Sequence, residues 1–86
     1  MADSQMVEVG RVNGFFAHPS VALVALSGTL KVGDAIYVKG HTTDFQQPVE
    51  SMQIDRQPVQ EATQGASVGL QVKDRCRKSD VVYKLS

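Results

Sequence analysis

His41, Thr42, Thr43 and Asp44 stand together at the end of the run LKVGDAIYVKGHTTDF, residues 30–45, and all four side chains can touch a metal, a phosphate or a proton. Two explanations compete. The run is either a site or a loop in which Asp44 and the threonines hydrogen-bond nearby backbone through Asx- and ST-type turns, a structural role that needs no ligand. The only other histidine is His18, and neither histidine belongs to a His-x-x-x-His or Cys-x-x-Cys spacing, so no transition-metal site and no cofactor is expected. His18 precedes Pro19, which biases it toward extended geometry, and it reads as an exposed loop side chain.

Cys76, the single cysteine, lies between Arg75 and Arg77. Flanking cations would lower a thiol pKa and favour a nucleophile. No histidine is near it in sequence, however, and a lone small thiol near a strand end reads better as a packing residue. The glycines at 10, 14, 28, 33 and 40 follow neither the P-loop nor the dinucleotide-binding spacing and shape turns instead. No enzymatic activity and no GTP binding are expected.

The densest charge cluster is KDRCRK, residues 73–78, with Lys73, Arg75, Arg77 and Lys78 against Asp74. A strand continuing past Lys73 would place Lys73, Arg75 and Arg77 on one face, set to engage phosphates. A solvated hairpin loop explains the same residues. Phe15 and Phe16 beside Gly14 are either a stacking platform for bases or core aromatics.

The elements that must position these residues are short. Eighty-six residues make one small domain, which buries only about 60–65 % of the surface its unfolded chain exposes. Nine basic and nine acidic residues give zero net charge, so the long-range attraction of a basic domain for nucleic acid is absent and any RNA contact is local. Hydrophobic residues make up 42 %, yet no run approaches the about 18 apolar residues of a membrane span. The opening MADSQMVEVG lacks a basic stretch followed by an apolar core, so residues 1–6 read as a disordered lead, residues 7–86 as the domain, and the location as cytoplasmic.

Short β-branched runs bounded by Gly, Pro, Asn and Asp recur, which predicts an all-β fold with seven strands and no helix. The strands are expected at residues 7–12, ended by Asn13-Gly14; at 21–26; at 35–39, with Ile36 and Val38 inward after a tight turn at Gly33; at 49–54, with a bulge; at 58–62; at 67–73, with Val68, Leu70 and Val72 inward; and at 81–85. Closing the sheet into a small antiparallel β-barrel would remove its edges. The strand VALVAL, residues 21–26, is apolar on both faces. Either Ala22, Val24 and Leu26 or Val21, Leu23 and Ala25 must then face outward and find cover, from a partner, a second copy or a packed loop at residues 15–19.

Taken in order, VGRV (9–12), GTLKVGDAIYVKG (28–40), the segment 49–72 and RKSDVVYKL (77–85) resemble the second domain of translational GTPases, the β-barrel of elongation factor Tu and initiation factor two. The HTTDF loop and VESMQ segment look more closely like small stand-alone translation-elongation-factor-like proteins and the C-terminal barrel of collagenase-like peptidase-family proteins, a family that includes enzymes implicated in RNA hydroxylation. The resemblance implies a closed barrel that docks rather than catalyses. It implies binding to tRNA or ribosomal RNA, but its matching motif positions are structural, so the expected contact residues, Lys73, Arg75, Arg77, Lys78, His41 and Phe15, are read from their own chemistry. The alternative is a protein-interaction module that docks on or stabilises a separate peptidase-like or RNA-modifying enzyme through the outward row of the VALVAL strand.

Overall fold

The structure is a computed structural model that describes residues 6–17 and 20–85. Of the disordered lead expected for residues 1–6, Met6 lies in a strand; residues 1–5, the exposed-loop assignment of His18, and Ser86 lie outside the described residues. Among the latter every regular element is a β-strand: β1 (Met6–Ala17), β2 (Ser20–Leu26), β3 (Leu30–Lys31), β4 (Ala35–Lys39), β5 (Asp44–Pro48), β6 (Met52–Ile54), β7 (Gln57–Val59), β8 (Glu61–Ala62), β9 (Ser67–Gln71) and β10 (Val81–Leu85). Eight form one antiparallel sheet in the order β5-β4-β10-β1-β2-β9-β6-β7, and β3 pairs separately with β8.

Alternation of apolar residues sets which face is buried. Val12, Val24 and Val68 form one inward row across β1, β2 and β9, and Ala22, Leu70 and Met52 form part of the next. Ile36, Val38 and Val82 close the core from β4 and β10, and Leu30 from the small sheet is fully enclosed. Each such side chain contributes about 1.5–3 kcal/mol by leaving water. Gly10 lies where two strands press together, since a Cβ there would sit 2.7 Å from Val24 Cγ1 and 2.8 Å from the Ala25 carbonyl oxygen.

Three expectations are corrected. Asn13-Gly14 does not end the first strand, because β1 absorbs the pair as a register shift between Val12 and Gly14 and runs on to Ala17, opposite Ser20 of β2. The loop read at residues 40–45 ends early, because Asp44–Pro48 is β5, with Phe45 buried and Val38 opposite it. The expected strand at 58–62 is two separate short strands, β7 and β8.

The sheet is also not a closed barrel, since its order runs from β5 at one edge to β7 at the other with no ladder joining them. It is rolled, and the seam is made by one side chain. Gln47 of β5 donates from Nε2 to the Gln71 carbonyl at 2.9 Å and accepts from the Lys73 amide at Oε1 at 2.8 Å, taking the place of a peptide unit beside the end of β9. Below it, the Val49 amide donates to the Asp34 carbonyl at 2.7 Å and the Gly33 amide donates to the Val49 carbonyl at 2.9 Å, which ties the chain after β5 to the turn before β4. Gly33 has φ 99, the conformation that the expected tight turn requires.

Candidate functional site

The HTTDF residues divide between strand and loop. His41 and Thr42 are exposed, whereas Thr43 is buried and its carbonyl accepts from the Gly40 amide at 2.8 Å. Asp44 accepts the Tyr37 hydroxyl at 2.7 Å rather than closing an Asx turn, and Tyr37 stacks on Tyr83 with ring centroids 6.3 Å apart. That hydrogen bond to Asp44 is the main cause that raises the Tyr37 pKa. Gly40 is held by its neighbour, because a Cβ there would collide with the Asp80 carboxylate. Among the described residues no cluster of three or more His, Cys, Asp or Glu is placed to hold a metal ion.

The basic segment is a loop, not a continued strand. β9 ends at Gln71, and Lys73, Arg75, Arg77 and Lys78 are all exposed on the connection to β10. Its order comes from Asp80, buried at 4 % exposure, whose Oδ2 accepts the Arg77 amide at 2.8 Å. Between the exposed basic residues of that loop, Cys76 turns inward, at 2 % exposure. Burial pushes its thiol up to about 12, and the carboxylates of Asp80 and Asp74 add to the effect. The flanking arginines therefore do not create a nucleophile; Cys76 is a packing residue.

Phe15 and Phe16 take opposite faces, as neighbours in a strand must. Phe15 turns in and packs against the core, while Phe16 is 57 % exposed. It belongs to a surface that the two-sided VALVAL strand anticipates. Ala22, Val24 and Leu26 fill the core, and Val21, Leu23 and Ala25 face outward, with Leu23 38 % exposed.

The register arranges this outer face in rows. Phe16 lies opposite Val21, and Leu23 lies between Gly14 of β1 and Gly69 of β9, with Gln53 of β6 beyond Gly69. Two glycines beside a leucine leave it raised above bare backbone. On the Gly69 side this makes an open groove of about 560 Å³, lined by Phe16, Val21, Leu23, Gln53, Ser67 and Gly69. Asp55 and Arg56, the turn between β6 and β7, complete its rim. Sequence reasoning named Phe16 only with Phe15, as a base-stacking or core pair, and missed Gly69 and this turn. Simple alternation from inward Val12 would turn Phe16 inward, and only the register shift between Val12 and Gly14 turns it out; the Asp55-Arg56 turn has no Gly or Asn to announce it.

No protein-family model matches the chain. The chain is 40% identical over 80 residues to an uncharacterized protease of Methanocaldococcus jannaschii, which covers 92% of this chain and 20% of that protein. It is 35% identical over 85 residues to a collagenase of Porphyromonas gingivalis, covering 96% of this chain and again 20% of the relative. The chain thus spans about a fifth of the length of the curated relatives it matches. Its fold is that of the C-terminal domain of a Geobacillus thermoleovorans protein described as a U32 peptidase, with a TM-score of 0.83 at 20% identity over 88% of this chain and 89% of the other. The selenomethionine variant of that domain gives the same TM-score at 19% identity, covering 87% and 95%.

These relatives support the collagenase-like half of the resemblance. They overturn the expectation of a translation-factor-like barrel that binds tRNA or ribosomal RNA, because proteins named protease and collagenase match nearly the whole chain at 35–40% identity. The protein-interaction alternative fits them better.

Proposed function

We propose that the chain is a protein-interaction module that docks on a peptidase-family partner and has no catalytic role of its own. One observation carries this: the outer face of β2 presents exposed Leu23 between half-buried Val21 and Ala25, beside exposed Phe16, an apolar row that the described chain covers only in part. In a domain of this size such a row normally marks a contact surface. The relatives support the choice of partner, because in them the matching module is about a fifth of a much longer protein of the protease or collagenase type.

The test uses a peptidase-family chain from the same cells that lacks this module, purified and titrated against the wild type and Leu23→Lys. Leu23 is at the surface, so the variant unfolds within about 0.5 kcal/mol of the wild type. A central apolar contact is worth on the order of 2 kcal/mol, so affinity falls roughly 30-fold. Unchanged affinity refutes the assignment.

A further inference from the structure

Gly69 has no reason in the fold to be glycine. It lies in the middle of β9, outside the left-handed region that Gly33 and Gly65 occupy. A Cβ built on it would meet Val21 Cγ1 at 3.4 Å and the Gln53 carbonyl at 4.0 Å, both ordinary contacts, in contrast to the crowding at Gly10. Glycine inside a strand destabilises it through backbone entropy and supplies no side chain to pack. What it supplies is bare backbone, and such a position marks a place where a second backbone comes close.

The rim adds a second, independent observation. Asp55 and Arg56 have φ 51 and φ 66, the pair of positive angles of a two-residue hairpin turn that Asn-Gly or Asp-Gly satisfies without strain. Keeping arginine in a left-handed conformation holds a guanidinium beside the groove, and among the described residues it has no ion-pair partner. Asp55 balances its charge. The rim therefore carries one cation, one anion, the Gln53 amide and the Ser67 hydroxyl around an apolar floor. A strongly charged ligand would meet one of the two charges with the wrong sign. An extended main chain, which alternates carbonyl and amide about every 3.3 Å, meets both donors and acceptors.

We propose that this groove takes an extended, uncharged segment of the peptidase-family partner, with its backbone crossing over Gly69 and one large apolar side chain seated against Leu23, Val21 and Phe16. The inference rests on the docking function above and adds what is docked. Arg56 and Gln53 donate to carbonyls of the segment, and Asp55 accepts from its amides.

The experiment titrates the same partner chain against the wild type, Gly69→Ala and Gly69→Val, with thermal unfolding of each, and crosslinks it from a photoreactive benzoylphenylalanine placed at Gln53. Both glycine variants keep or raise the melting temperature, because the added Cβ meets only ordinary van der Waals contacts and improves strand propensity. Gly69→Val loses affinity at least about tenfold, Gly69→Ala loses less, and the crosslink falls on an extended, uncharged segment. The inference is overturned if Gly69→Val binds as tightly as the wild type, if both variants melt lower, or if the crosslink falls on a helix or a charged segment. The docking function then still stands, provided that Leu23→Lys lowers affinity as stated above; if the wild type does not bind the partner, both fall.

Discussion

Cys76 shows how burial overrides a sequence neighbourhood. Arg75 and Arg77 flank it, yet both side chains are exposed, and the desolvated thiol faces Asp80 and Asp74 instead. Its pKa is raised from 9.0 to about 12. Below pH 9 the folded and unfolded chains both keep this proton, so stability does not depend on it there. Between pH 9 and 12 the unfolded chain loses the proton that the folded chain keeps, and stability falls as pH rises, by at most about 1.4 kcal/mol per pH unit. Urea unfolding from pH 8 to 11 should show this decline in the wild type and a smaller one in Cys76→Val; parallel curves would refute it. Thiol labelling at neutral pH should likewise be slow until denaturant is added. The inward turn of Cys76 was legible as packing from its type alone, whereas the outward turn of Phe16 was not, since it depends on a strand that passes through Asn13-Gly14.

At the scale of elements, the seam between β5 and β9 rests on the Gln47 amide. Gln47→Leu keeps the volume and removes both solvent-exposed hydrogen bonds, which should cost about 0.5–1.5 kcal/mol in urea unfolding; a loss near zero would mean that water replaces the amide. The Asp55-Arg56 turn makes the opposite prediction. Arg56→Gly relieves a left-handed arginine and should raise stability by about 1 kcal/mol, while weakening partner binding. The strands β4 and β9 were legible because each alternates between apolar and polar faces, and β2 and β10 because each is a short β-branched run bounded by turn residues. β5 was not, because DFQQP offers a single buried residue, Phe45, and its pairing with β4 across residues 40–43 is a tertiary fact. The rolled seam could not be read from sequence at all, since nothing local marks Gln47 as a substitute for a strand.

At the scale of the whole molecule, two surfaces compete for function. The exposed cations at 73, 75, 77 and 78 sit on the loop between β9 and β10, and the apolar row sits on the outer face of β1, β2 and β9. A chain with zero net charge gives the basic loop little long-range help, and the relatives point to a protein partner. The sequence left both faces of β2 open because VALVAL is apolar throughout; only the register with β1 and β9 decides that Leu23 faces out between two glycines. Amide hydrogen exchange of this chain with and without the proposed peptidase-family partner separates the two surfaces directly. The docking account predicts new protection in β2 and β9, at Val21, Leu23 and Gly69, with the loop at 73–78 unchanged. Protection confined to residues 73–78 would contradict it.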